Sequence, residues 1–256
     1  MTTQTELYKN LCADKAKGEK KFVLLIDPDE EKLGNLERVL DLSMQAGVDY
    51  FFVGGSLIVD DRMEFVLRKI KALSNIPTVL FPSSPLQVND KADAILFLSL
   101  ISGRNSEFLI GNHVVAAPYL KKSSLEILPT GYMLVNGGKP TTASYMSNTS
   151  PIPYEKDEIA MCTAIAGEML GLKLMYLDAG SGAKNPVSTS MIKSVSRAIT
   201  APLIVGGGIR TPKKALANVE AGADVVVVGN AIEKNPKLIF EMAEAVHSIN
   251  KIKTHI

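Results

Sequence analysis

The chain is 256 residues long, with 28 Lys and Arg against 27 Asp and Glu and a formal net charge of +1, so it lacks the basic surplus by which nucleic-acid binders hold phosphate backbones. That length matches one α/β barrel, and no Gly-, Ser- or Pro-rich linker divides it, so residues 1–256 read as a single domain. The opening segment Met1 to Asn10 has no apolar h-region and no stretch is long and apolar enough to span a bilayer, which sets the expectation of a cytoplasmic protein.

Apolar, β-rich runs recur along the chain, and each ends in turn chemistry. Phe22–Ile26 precedes Asp-Pro, Tyr50–Val53 precedes Gly-Gly-Ser, and Thr78–Phe81 precedes Pro-Ser-Ser-Pro. Ala94–Leu98, Gly131–Val135 and Leu174–Leu177 follow, the last running into Asp-Ala-Gly-Ser-Gly. Two glycine units close the series: Leu203-Ile-Val-Gly-Gly-Gly-Ile-Arg-Thr-Pro212 and Val225-Val-Val-Val-Gly-Asn-Ala-Ile-Glu-Lys-Asn-Pro236. The strands are continuously apolar, as buried parallel strands are. Between them, Met63, Val66, Leu67, Ile70 and Leu73 keep the spacing of one buried helix face; so do Cys162, Ile165, Ala166 and Met169, and then Met191, Ile192, Val195 and Ile199. Leu238, Met242, Ala245, Val246 and Ile249 give a last outer helix. Alternating strands and helices predict an α/β fold, a (β/α)8 TIM barrel with right-handed crossovers. From Phe81 to Ala94 there is neither the length nor the period for a helix, so the third helix of the barrel is expected to be missing. The longest loop, from Asn136 to about Tyr154, reads as a lid over the face that carries the glycine turns. Cys12 and Cys162 are too few and too far apart for a disulfide framework or a metal knot and read as core residues.

Strand, glycine turn and helix start aim backbone N–H groups and the positive end of a helix dipole at one spot, so the two tandem units predict a phosphate site after strands 7 and 8. Asp27 ends the first strand; it is either the cap of an Asp-Pro turn or the ligand of a magnesium ion bridging to phosphoryl oxygens. Ser56 is either an N-cap or, beside Asp27, a second hydroxyl donor at that metal. Asp178 opens the loop Ala179-Gly-Ser-Gly182, whose amides suit a phosphate while the carboxylate faces a substrate hydroxyl as acceptor or general base; the plainer reading is that it orders the turn. Tyr176 is a structural aromatic or a second group orienting the substrate, and Lys139 and Arg210 lie in loops where they could meet a diphosphate. His113, His247 and His255 fall on no motif and read as surface or satisfied histidines.

Leu24-Leu-Ile-Asp-Pro-Asp29, Phe52-Val-Gly-Gly-Ser56, Leu80-Phe-Pro-Ser-Ser84, Gly131-Tyr-Met-Leu-Val-Asn136, Tyr176-Leu-Asp-Ala-Gly-Ser-Gly-Ala183, Val205-Gly-Gly-Gly-Ile209 and Val228-Gly-Asn230, in that order, resemble the successive loop motifs of the geranylgeranylglyceryl phosphate synthases, in the branch with Ile-Asp-Pro-Asp and Ala-Gly-Ser-Gly. The resemblance implies a barrel without its third helix that joins the C3 hydroxyl of sn-glycerol 1-phosphate to geranylgeranyl or a similar polyprenyl diphosphate through an ether bond, with Mg2+ as cofactor. It implies metal at Asp27 and Ser56, catalysis by Asp178 and Tyr176, and glycerol phosphate held by Tyr176, Leu177, Asp178, Ala179, Gly180, Ser181 and Gly182 with Gly207, Gly208, Gly229 and Asn230. Homo-oligomeric assembly and peripheral contact with membrane lipid are further expectations. Two departures stand out. Most members have glutamate where this chain has Asp178, which reaches one methylene less far, and some branches have lysine where this chain has Leu25. The competing readings are a non-catalytic barrel binding a sugar phosphate or FMN, and an isomerase or synthase acting on a phosphosugar, for which a polar pocket is expected.

Overall fold

The computed structural model describes residues 6–29, 34–55, 57 and 62–253. Eight parallel strands close a barrel in sequence order: β1 (Lys21–Ile26), β2 (Tyr50–Val53), β3 (Thr78–Leu80), β4 (Ala94–Leu100), β5 (Glu126–Leu134), β6 (Leu174–Asp178), β7 (Leu203–Gly206) and β8 (Val225–Val228). β8 pairs back on β1 with Val227 opposite Val23, which leaves no open edge. The helices are α1 (Leu7–Lys17), α2 (Leu36–Ala46), α3 (Met63–Leu73), α4 (Asn112–Leu120), α5 (Thr142–Met146), α6 (Asp157–Met169), α7 (Thr189–Ala198), α8 (Pro212–Glu220), α9 (Asn230–Lys234) and α10 (Leu238–Lys253). A π-helical turn, Glu107–Gly111, leads into α4. Among the described residues, no helix is long and apolar enough to cross a membrane.

Strand parity decides what each residue does, because successive side chains point to opposite faces of the sheet. Phe22, Leu24 and Ile26 pack outward under the helices, whereas Val23, Tyr50, Phe52, Leu174, Tyr176, Ile204, Val225 and Val227 fill the interior. Asp27 continues the inward set of β1 and Asp178 that of β6, so both carboxylates come to the inner rim at the strands' C-terminal ends.

α1 closes the opposite end. Leu7 and Leu11 pack into the interior cluster, and Glu126, at the start of β5, accepts from the amides of Leu7 (2.7 Å) and Tyr8 (2.9 Å). Buried Asp224 accepts from Leu203 N (3.0 Å) and pairs with Lys15 (3.1 Å) and Lys20 (3.0 Å), fastening the same helix to the barrel floor. Glu126→Ala leaves two part-buried helix donors without their partner, so a loss of about 1–2 kcal/mol is expected, read as a lower denaturation midpoint with turnover unchanged. A midpoint within error of the parent's would show that water replaces the cap at no cost.

The missing third helix is as expected: between β3 and β4 the chain makes only tight turns, such as Gln87 N to Ser84 O (3.2 Å) and Ala92 N to Asn89 O (3.2 Å). The long loop is ordered. Thr141 and Ser144 form a capping box at the start of α5, and Ile152 N donates to Leu134 O (2.8 Å) while Asn136 N donates to Ile152 O (2.8 Å), which seats the loop's return against β5.

Two readings of the sequence are corrected. α6 buries Ala160, Ala164 and Gly167, while Cys162 and Ala166 are exposed and Met169 is 83% exposed. The cause is close packing: a Cβ on Gly167 would lie 2.8 Å from Ile101 Cδ1, so the small residues face the sheet and the large ones are turned outward. Cys162 is therefore a surface thiol and Cys12 is half-buried; neither is a core residue.

Candidate active site

The inner rim opens into a cavity of about 1050 Å³ that combines two environments. At one end the glycine turns after β6, β7 and β8 present Ser181, Gly182, Gly207, Gly208, Gly229 and Asn230. The other end is apolar, lined by Val88, Ile95, Phe97, Phe108, Ala116 and Leu120, and it occupies the flank where the third helix is missing.

Asp178 stands between the two. It is buried; its Oδ2 accepts from Tyr132 Oη (2.5 Å) and its Oδ1 from Gly180 N (2.7 Å). Burial raises its carboxyl above the ordinary aspartate value, and the Tyr132 and Gly180 donors offset part of that rise. Tyr132 and Tyr176 are pushed well above the usual phenol value, first by burial and then by the Asp178 charge, so both hydroxyls stay protonated donors. Phe81, Tyr132 and Tyr176 form one aromatic cluster: Phe81 stacks on Tyr176 at 5.4 Å, and Tyr132 meets both edge-on. A Cβ on Gly206 would lie 2.6 Å from Tyr176 Oη, so glycine there makes room for the phenol.

The loops close around this point. Gly207 has φ 81°, and a Cβ on it would strike Asp178 Oδ1 and lie 2.5 Å from Gly180 N and 2.6 Å from Ala179 N. The turns after β6 and β7 therefore touch backbone to backbone, which clusters N–H groups as an anion site requires. Ser181 Oγ donates to Asn230 Oδ1 (3.1 Å), tying the loop after β6 to the one after β8. Lys139 Nζ lies 3.8 Å from the Cβ position of Gly182 and brings a positive charge from the long loop to the same end. Arg210 lines the cavity but donates to the carbonyls of Ala183 and, at 3.2 Å, Lys184, so it braces the loop after β6.

Asp27 reaches the rim with Gly55 against it: a Cβ there would lie 3.0 Å from each carboxylate oxygen. Asp29 N also donates to Asp27 Oδ1 (3.2 Å), so the turn role is present. Ser56 lies outside the described residues, as does His255. Among the described residues there is no group of three or more His, Cys, Asp or Glu able to hold a metal by themselves. His247 Nε2 pairs with Asp49 Oδ2 at 2.8 Å, as a satisfied histidine does. His113 differs from that expectation. It is buried on the cavity wall, edge-on to Phe97 at 4.4 Å, its Nδ1 has no hydrogen-bond partner, and burial lowers its pKa.

The PcrB family model matches residues 15–249. The chain belongs to the PcrB family. The geranylgeranylglyceryl phosphate synthase of Chitinophaga pinensis is 54% identical over 95% of this chain and 96% of its own length. That of Thermococcus gammatolerans is 41% identical over 86% and 87%. The crystal structure of (S)-3-O-geranylgeranylglyceryl phosphate synthase from Thermoplasma acidophilum, in complex with substrate sn-glycerol-1-phosphate, superposes with a TM-score of 0.87 at 31% identity, covering 94% of this chain and 98% of that one.

In this PcrB chain the structure gathers Asp27, Tyr176, Asp178, Ser181, Gly182, Gly207, Gly208, Gly229 and Asn230 on one cavity wall. Sequence reasoning missed Tyr132, which binds Asp178 directly. The signal was present: Tyr132 shares inward parity with Leu128 and lies inside the quoted Gly131 to Asn136 stretch. The apolar lining was missed as well, because it is assembled from β4, the π-helical turn and α4 rather than from one motif.

Proposed function

We propose that this chain joins the C3 hydroxyl of sn-glycerol 1-phosphate to C1 of a polyprenyl diphosphate, forming an ether-linked prenylglyceryl phosphate and releasing diphosphate. The observation that carries the reading is a buried carboxylate, Asp178, set between a cluster of loop amides and a long apolar recess. Glycerol phosphate fits the amide end, with its phosphate on the turns after β6, β7 and β8 and its C3 hydroxyl toward Asp178 Oδ2. The prenyl chain fits the recess left by the third helix, a match the phosphosugar reading does not explain. A phosphate-binding barrel without chemistry has no use for a buried carboxylate, its pKa raised by desolvation, beside the anion site.

Asp178 accepts the hydroxyl proton as the oxygen attacks the allylic carbon. Tyr132 fixes the carboxylate's orientation, and the aromatic cluster excludes water from the electrophilic C1. Mg2+ fits the donor set: a rim carboxylate such as Asp27 suits an ion that keeps waters and takes its remaining ligands from substrate phosphates. When bound it neutralises charge on the diphosphate leaving group.

Incubation with labelled glycerol 1-phosphate and prenyl diphosphates of graded length, with and without magnesium, tests the assignment. Formation of a labelled ether lipid is expected, and its absence at every chain length would remove the assignment. Asp27→Asn is nearly isosteric and a poorer ligand for a hard cation, so half-maximal activity should need on the order of tenfold more magnesium. An unchanged magnesium dependence would leave Asp27 as the cap of its turn alone.

A further inference from the structure

Three successive loops on the cavity side of the barrel carry cations and no carboxylate. From Asn136 to Tyr154 after β5, from Ala179 to Ser188 after β6 and from Gly207 to Thr211 after β7, the charged residues are Lys139, Lys184 and Arg210. Their side chains are used differently. Arg210 gives its guanidinium to the carbonyls of Ala183 and Lys184, and the exposed Lys184 side chain stands off the cavity wall. Lys139 lines the cavity and has no hydrogen-bond or ion-pair partner among the described residues. Lys234, also on the wall, follows Glu233 on α9, so that pair adds no net charge.

The chain on both sides of Lys139 is laid along the loop after β6. Before it, Asn185 N donates to Gly137 O (2.8 Å), and a Cβ on Gly137 would lie 2.8 Å from Ala179 O. After it, Thr141 caps α5, and a Cβ on Gly180 would lie 2.7 Å from Thr141 Cγ2. These contacts fix the backbone that carries Lys139, whose Nζ ends 3.8 Å from the Cβ position of Gly182, at the anion end of the cavity.

We infer that Lys139 is the side chain that binds the phosphate of the glycerol phosphate, completing a cradle otherwise made of backbone amides. The inference rests on the function proposed above. A phosphate monoester bears a charge of roughly −1.5 to −2 at neutral pH and here shares the cavity with the Asp178 carboxylate, so amides alone leave negative charge uncompensated in a partly enclosed site. A lysine is a point charge on a flexible stem: it neutralises the phosphate while the rigid turns set its position. Place in the barrel assigns Lys139 to this substrate rather than to the diphosphate. It meets the loop after β6, whereas Asp27, the ligand expected for magnesium on the diphosphate, ends β1, on the far side of β7 and β8.

Calorimetric titration of the full chain with sn-glycerol 1-phosphate, without prenyl substrate, tests this. Lys139→Met should weaken binding on the order of tenfold, as loss of a charge-assisted hydrogen bond does, and Lys139→Arg should restore most of it. Lys184→Met, which removes a neighbouring charge off the cavity wall, should bind as the wild type does, and all three variants should bind geranylgeranyl diphosphate unchanged. In turnover, Lys139→Met should raise KM for glycerol 1-phosphate and leave kcat at saturation nearly as it was. Glycerol 1-phosphate affinity retained by Lys139→Met, an equal loss in Lys184→Met, or a loss confined to the diphosphate would overturn the assignment while leaving the proposed reaction standing; a wild type that binds no glycerol 1-phosphate would overturn both. Circular dichroism checks the fold of each variant. The wild type gives a measurement free of substitutions: glycerol 1-phosphate should slow acetylation of Lys139 by acetic anhydride, read by peptide mass, and not that of Lys184, whereas equal rates at Lys139 with and without it would refute the contact.

Discussion

Asp178→Asn should lower turnover by a factor on the order of 10²–10⁴ with little change in affinity for the prenyl diphosphate, as the removal of a general base does. The amide has the shape of the carboxylate, and Gly180 N keeps its acceptor, so the loop is expected to hold. The pH dependence gives an independent check. Burial raises the Asp178 carboxyl, and only its ionised form accepts a proton, so the acidic limb of turnover should lie above the ordinary aspartate value of about 3.9 and vanish in the variant. Stability moves the opposite way. A carboxyl raised by folding contributes stability that is full below its unfolded pKa and lost as pH rises through its folded pKa. At neutral pH the parent therefore bears the cost of a buried charge that Asn does not, and the variant should melt no lower than the parent. A slow, stable enzyme identifies a base; a variant turning over at nearly the parent rate would leave departure of the diphosphate as the main step and the carboxylate as a binder of the hydroxyl. Asp178→Glu should retain substantial activity in a loop fitted to the shorter chain.

The parts of the fold that were legible in the sequence are those set by short-range pattern. The eight strands are runs of apolar residues bounded by Gly, Pro and Asp, and the missing helix shows as too few residues between Phe81 and Ala94. Asp27 and Asp178 were found because each ends a strand in turn chemistry. What escaped depends on distant partners. α1 has only Leu7 and Leu11 to bury, and its position is fixed by Glu126, 119 residues away. Tyr132 takes its role from Asp178, 46 residues away: its inward parity and its motif place it in the barrel interior, but the partner that gives it a role is set only by the fold. A count of apolar residues points to the wrong face of α6 because it favours the large ones, whereas the sheet accepts Ala160, Ala164 and Gly167. No motif marks His113, and its place on the cavity wall, edge-on to Phe97, comes from the packing of α4.

Gly207→Ala should have the second large effect, directed at the phosphate. Its φ of 81° lies where an L side chain costs about 1–2 kcal/mol. The added methyl would also press against Asp178 Oδ1 and the amides of Ala179 and Gly180. Those neighbours are backbone and the hydrogen-bonded Asp178 carboxylate rather than the end of a flexible side chain, so relief requires the turns after β6 and β7 to part. A displacement approaching 1 Å at such a point costs on the order of 10²-fold, so kcat/KM for glycerol 1-phosphate should fall by about that much. Binding of the prenyl diphosphate in the apolar recess, measured without the second substrate, should change little. Gly208→Ala is the comparison: its φ is also positive at 69°, but the nearest atoms, in Ala183 and Pro186, stand off at 3.3 Å, so a smaller loss is expected. Equal losses at the two glycines would mean that positive φ alone sets the cost, and equal losses for both substrates would mean that the turn supports the barrel rim as a whole instead of the anion site.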